Sequence, residues 1–305
     1  MAGIFRAYFV WPQFPSISIT GTACLLDCLH CNRVYLKHME AANTPELLVK
    51  TCGLHKERGA KGVLLSGGCD KDGGMLNLEK FIPAIKDVHD MGLIIKLHTG
   101  LVDERLAGLI AKAGVDIASQ EIVGDADTVK EMFGLHTALN RYFTTFKYLH
   151  DAGVPFLCPH LCVGLHFGKI KGELRALEMM KEAFVPSTLA VIVFRPTKGT
   201  KLEKSPAPDP HDLGVVVRRA RELFPAAKIV LGALRPRSST RNDPNKGIRY
   251  GLEAEALEAG VDGMEVPSNE IMDMARQKGM RIKRIEAYGV LPVEYEDRVE
   301  TAWMD

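Results

Sequence analysis

An excess of charge of either sign is missing from this 305-residue chain: 39 Lys and Arg stand against 38 Asp and Glu, a formal net charge of +1. A partner such as nucleic acid or an anionic membrane surface calls for a clear basic excess or patch, so neither is expected. No run of about 18 apolar residues occurs, which excludes a membrane-spanning helix. The opening stretch, MAGIFRAYFVWPQFP, lacks a basic start, an apolar stretch and a small-residue cleavage site, so a cytoplasmic location is expected. Internal repeats, low-complexity tracts and charge runs are absent as well. What is present is a composition ordinary for a soluble globular protein, 46% hydrophobic and 25% charged, together with 7 cysteines. In a cytoplasmic chain those thiols are not expected to pair as disulfides. Metal binding and catalysis are the roles to test.

Short β-branched or apolar runs alternate with amphipathic segments along the whole chain. Strands are expected at 16–22, 62–66, 93–97, 115–122, 155–165, 189–194, 229–231 and 261–266. Helices are expected between them, over 45–59, 76–91, 104–113, 138–152, 172–184, 210–224, 247–259 and 268–279. Their signals are local: Pro45 at a first helical position, and Gly92, Gly114 and Gly153 as stops. Eight strands each followed by a helix predict an α/β fold, a (β/α)8 TIM-type barrel, with an open doubly wound sheet as the alternative. The expected organisation is an extension over 1–14, a barrel over 15–280 and a tail over 281–305 that adds a strand near 281–290. In such a barrel the chemistry sits on the loops that follow the strands.

The loop after the first strand reads Cys24-Leu25-Leu26-Asp27-Cys28-Leu29-His30-Cys31. Three thiols spaced C-x3-C-x2-C can curl around one soft metal centre, since thiolates select zinc or iron–sulfur clusters over hard cations. Structural zinc takes four ligands, usually as two pairs, and no second C-x2-C or H-x3-H pair follows. In a four-iron cluster, three cysteines leave one iron open for another ligand. Three incidental core cysteines are the bland alternative.

A C-x3-C-x2-C loop directly after the first strand of an α/β barrel resembles the radical S-adenosylmethionine (SAM) superfamily. The resemblance implies a 4Fe-4S cluster held by Cys24, Cys28 and Cys31, with SAM on the open iron. It implies reductive SAM cleavage and hydrogen abstraction from an unactivated C–H bond by a 5′-deoxyadenosyl radical, and a donor of electrons such as ferredoxin or flavodoxin. His30 takes the place beside the adenine ring. Ser66-Gly67-Gly68 takes the place of the glycine-rich stretch that contacts the SAM amino group, where Cys69 replaces the acidic residue often found. Glu121 takes a ribose-side place, and Gly164 and Leu165 lie where a biotin-synthase-like stretch runs beside SAM. Cys158 aligns with a cysteine that holds an auxiliary cluster in biotin synthase, while Leu65 or Ser66 and Lys96 fall in the neighbourhoods of its other two. Arg235 falls at that enzyme's cluster-binding arginine, and Ser238 lies in an Arg-Ser-Ser stretch like the one that ligates a second cluster in lipoyl synthase.

With period two, Cys158, His160 and Cys162 share one strand face, and the two cysteines lie about 13 Å apart along an unbent strand at about 3.3 Å per residue. A second iron–sulfur cluster, with Cys69, Cys158 and Cys162 as candidate ligands, and simple core packing both stand. Cys52 is expected to pack. Substrate contacts are assigned to His98, His160 and Arg195. The order of these stretches resembles the biotin-synthase-like branch, and most resembles one component of the archaeal-type split lipoyl synthase. That implies sulfur insertion into an octanoyl chain on a carrier protein or peptide, alongside a companion radical SAM protein. A single-cluster enzyme of another cofactor-forming reaction and a non-catalytic iron–sulfur partner subunit are the alternatives.

Overall fold

A computed structural model describes residues 3–237 and 246–304. Ser238 lies outside the described residues. The strands Ser16–Ser18, Gly62–Ser66, Ile94–His98, Ile117–Glu121, Phe156–Val163, Thr188–Val193, Lys228–Leu231 and Gly263–Glu265 lie side by side in chain order, all parallel. A parallel strand covered on both faces is a continuous apolar run, and Gly62–Ser66 is buried at every position. The helices between strands begin where the sequence places caps. Thr44 accepts a hydrogen bond from the Leu47 amide with Pro45 next to it, and Asp103 accepts from Leu106. They stop at residues such as Gly114 and Gly153, whose φ of 79° and 88° suits a residue without a Cβ. Among the described residues no helix is long and apolar enough to cross a membrane.

The fold class is the expected one, but the hydrogen-bonded ladder is not a closed ring. Beyond Gly263–Glu265 the sheet continues into Ile4–Tyr8 and Arg281–Ile285, both parallel, and ends on the antiparallel Thr301–Met304. The other edge is Glu40–Ala41, next to Ser16–Ser18. Side chains from 286–291 fill the opening. Tyr288 shares a 2.5 Å hydrogen bond with Ser16 and meets the Phe14 ring edge-on. Ala287, Val290 and Leu291 then join Ile94, Ile117, Cys158 and Val230 in a second apolar core beneath the strand starts. The segment after Ile285 is therefore not strand, as its sequence suggested. Its apolar residues are recruited to floor the barrel.

Candidate functional site

A cavity of about 430 Å³ opens where the strands end, with lining residues from all eight barrel strands or the loops that follow them. Its upper wall is the loop from Cys24 to Arg33. That loop is held by its own main chain and by two neighbours. Cys31 and Asn32 amides donate to the Cys28 carbonyl, and the Leu29 amide donates to Met132. Asn32 and Arg33 adopt φ of 43° and 60°, turning the chain so that the Arg33 guanidinium returns to the Cys24 carbonyl at 3.2 Å. From below, the Leu25 amide donates to the Cys69 carbonyl, and the Cys69 amide donates to Cys24 Sγ at 3.3 Å. The Gly68 amide donates to Thr20 Oγ1 at 2.8 Å. Glycine is required at 68, because a Cβ there would stand 2.0 Å from the Ala23 carbonyl oxygen.

Cys24, Cys28 and Cys31 all line this cavity. Burial pushes the Cys28 and Cys31 thiols up, and burial pushes Cys69 up to about 12. A thiol so placed stays protonated until a cation binds its sulfur in the proton's place, so metal binding here would release protons. Among the described residues no three Cys, His, Asp or Glu side chains converge on a single ion position. A cluster asks for something else, since each of three irons takes one thiolate and the fourth is left open. Three separated thiols around one wall, with an amide N–H already aimed at one sulfur, fit that donor pattern.

Ser66, Gly67, Gly68, Cys69, His30, Glu121, His98 and His160 also line the cavity. Burial holds His30 at about 4, and its ring meets Phe133 edge-on at 5.1 Å. Glu121 is pushed up to about 7 by burial alone. Deeper in, the His98 and His160 rings cross at 5.0 Å, and Ser66 Oγ lies 3.3 Å from His98 Nδ1. Burial, reinforced by the Lys96 charge, keeps both imidazoles neutral well below their ordinary range. Leu26, Met75, Leu101, Phe133 and Leu135 supply the apolar walls that exclude water.

Other residues singled out in the sequence are placed elsewhere. Phe156–Val163 is one unbroken strand paired along both edges, so Pro159 introduces no bulge and Cys158 and Cys162 stay at opposite levels. Cys158 is fully buried at the floor and faces the Val290 carbonyl at 3.7 Å, whereas Cys69 sits in the turn after Gly62–Ser66 and bonds to Cys24. Cys162 is buried outside the lining, and Cys52 packs in the main core. Arg235 is wholly buried, with its guanidinium on Glu253, the Gly232 carbonyl and the Val266 carbonyl. Arg195 leans over Tyr35 and donates to Thr197. Gly164 donates to Glu173 and Leu165 is buried, both outside the lining. Sequence reasoning missed Tyr35, Phe133, Tyr142, Glu265 and Tyr288, all of which line the cavity. Glu265 ends a strand, and that strand-end position is the one signal that could have pointed to it. Phe133 sits at the end of a π-turn, Val129–Phe133, which has no clear sequence signature.

A family model described as the radical SAM superfamily matches residues 18–169. Over 224 residues the chain is 27% identical to a biotin synthase of Coxiella burnetii (strain Dugway 5J108-111), covering 70% of this chain and 67% of that protein. It is 23% identical over 235 residues to a biotin synthase of Methylorubrum extorquens (strain PA1), covering 74% and 68%. The chain thus spans about two thirds of the length of these curated relatives. Among solved structures, methylornithine synthase superposes with a TM-score of 0.57 at 16% identity, over 92% of this chain and 82% of that one. The FeFe-hydrogenase maturase HydG from Carboxydothermus hydrogenoformans superposes with a TM-score of 0.59 at 16% identity, over 91% and 67%. At such identities the structural likeness shows the fold. It also extends well past residue 169, to nearly the whole barrel.

Proposed function

We propose, with a radical SAM domain over residues 18–169 as the premise, that this chain is a radical SAM enzyme acting on a substrate held in the barrel cavity. Cys24, Cys28 and Cys31 would hold a 4Fe-4S cluster, with SAM bound in the same cavity. Bound together and reduced, cluster and SAM supply hydrogen abstraction from an unactivated C–H bond. The one observation that carries the reading is that the three loop thiols and the His98–His160 pair line a single cavity. The chain's own contribution is placement. Gly67 and Gly68 admit close backbone approach, Glu121 and His30 flank the upper cavity, and the apolar wall keeps water from the reacting centre.

The test is anaerobic reconstitution with iron and sulfide, followed by reduction with SAM present. About four irons per chain and release of 5′-deoxyadenosine and methionine are expected. A reconstituted, folded protein that releases no 5′-deoxyadenosine would sink the reading and leave a non-catalytic iron–sulfur subunit.

Within that reaction class we favour a single-cluster enzyme, because Cys69, Cys158 and Cys162 lie apart and Arg235 is spent on Glu253. Sulfur insertion into a protein-bound octanoyl chain is the second reading, supported by the sequence likeness to biotin synthases. About eight irons per chain, and a mass gain on an octanoyl carrier peptide, would favour the second.

A further inference from the structure

The deepest part of the cavity contains an ammonium that, among the described residues, has no direct hydrogen bond or ion pair. Lys96, in the middle of Ile94–His98, is 4% exposed and lines the cavity. Its Nζ lies 4.5 Å from the centre of the Tyr288 ring. Among the described residues it makes no salt bridge and no hydrogen bond. The nearest acid in the lining, Glu265, is occupied: its Oε2 accepts from the Ala233 amide and its Oε1 from the Gly289 amide, each at 2.7 Å. A second ammonium, Lys228, lies on the far side of Cys158, bonded to the Tyr8 hydroxyl and the Leu291 carbonyl. The Glu265 charge reaches Lys96 without a direct contact, whereas Lys228 has Glu296 and Asp262 as additional acidic neighbours. Beside Lys96, His98 Nε2 is buried and has no hydrogen-bond partner.

An uncompensated buried ammonium is costly unless an opposite charge meets it. An aromatic face alone is a weak counterpart to a buried ammonium. We infer that the cavity floor recognises the carboxylate of a small-molecule substrate, with Lys96 binding the carboxylate and His98 Nε2 offering a second polar contact. The site then orients its ligand with the acid downward and the carbon skeleton upward, toward Cys24, Cys28 and Cys31. For its role in a reaction this inference rests on the proposed radical SAM activity; for binding it does not. It also separates the two substrate readings, since a carrier-tethered acyl chain would bring a methyl end, not a carboxylate, to Lys96.

The experiment is calorimetric titration of the reconstituted, SAM-loaded protein with a panel of four- to eight-carbon acids, straight-chain and α-amino, and with their primary amides. At least one acid is expected to bind about 10-fold or more tightly than its amide, the size of a charge-assisted hydrogen bond. Lys96→Met should erase that preference and Lys96→Arg should keep part of it, both with unchanged far-ultraviolet circular dichroism. Acids and amides binding alike to the unaltered protein, or no acid binding at millimolar concentration, overturns the inference whether or not the variants fold. Release of 5′-deoxyadenosine, measured in the same samples, reports separately on the proposed activity. An acid preference without SAM cleavage leaves the carboxylate site standing and removes the activity. Cleavage without the preference does the reverse.

Discussion

Gly68→Ala is a one-methyl change that reaches the thiol loop without touching a thiol. The new Cβ would stand 2.0 Å from the Ala23 carbonyl oxygen, 2.4 Å from Cys24 Cβ and 2.6 Å from Cys24 Cα. Real Cβ atoms do not come nearer than 3.0 Å, so the loop and the 67–69 turn must part by about 1 Å. These are main-chain neighbours, with no flexible side-chain end to swing aside. Parting them lengthens both bonds that tie the two segments, Leu25 amide to Cys69 carbonyl and Cys69 amide to Cys24 Sγ. Overpacking of this kind costs about 1–3 kcal/mol, which a barrel of this size survives. The function should fare worse, because a displacement of about 1 Å at a reacting centre costs about 10²-fold in rate. Reconstituted Gly68→Ala is therefore expected to keep its circular dichroism, lose cluster absorbance or iron, and release 5′-deoxyadenosine about 10²-fold more slowly. Gly108→Ala is the control, since a Cβ there meets nothing within 4 Å in the helix Glu104–Lys112. It should be neutral or stabilising by about 0.5–1 kcal/mol. Full iron loading and unimpaired SAM cleavage in Gly68→Ala would refute the argument that the turn positions the loop.

Cys28→Ala should leave the barrel folded and abolish 5′-deoxyadenosine release; retained release would remove Cys28 from the cluster. Arg235→Leu strips one of two arginines from the buried Glu253 carboxylate and should destabilise by about 3 kcal/mol in urea melts, the lower end for a broken buried pair because Arg249 still reaches Glu253. Adding Glu253→Leu should recover much of that loss, and additive losses would contradict the pairing. Burial lowers Lys228 from 10.5 to about 8. The unfolded chain thus binds more protons between these values, and stability should rise with pH across that window by about 3 kcal/mol, the cost being fully present below pH 8. Lys228→Met should flatten that rise in urea melts at several pH values; an unchanged slope would mean the lysine is not the source.

The alternation of strands and helices was legible because each element carries its own local signal. Thr44-Pro45 starts a helix, Gly114 and Gly153 stop two, and Gly62–Ser66 is apolar throughout. Closure was not legible, because it depends on pairing between distant segments. Nothing local says that Ile4–Tyr8 belongs between Gly263–Glu265 and Arg281–Ile285, or that Tyr288 reaches Ser16. At the site, Cys24, Cys28 and Cys31 stood out by spacing on one loop. Arg235 was read as a ligand from its likeness to the cluster-binding arginine of biotin synthase, yet the side chain turns to Glu253, a partner 18 residues away. Lys96 was noted only as standing in the neighbourhood of an auxiliary-cluster cysteine of biotin synthase. Only the packing of Tyr288 and the occupation of Glu265 by two amides reveal it as an ammonium without a direct ion pair.

The way the floor is assembled sets an order of events during biosynthesis. A nascent chain that has emerged as far as residue 169 already displays Cys24, Cys28 and Cys31, but the segment 286–291 that seals the barrel from below is still to be made. At ribosomal rates that gap lasts on the order of 10 s. Throughout it the thiols border an unfinished, water-filled trough rather than a dry chamber. Iron delivered then would meet solvent and oxidants from both sides. In the complete chain, with the base already shut by 286–291, Cys24, Cys28 and Cys31 border the cavity on the side of its mouth.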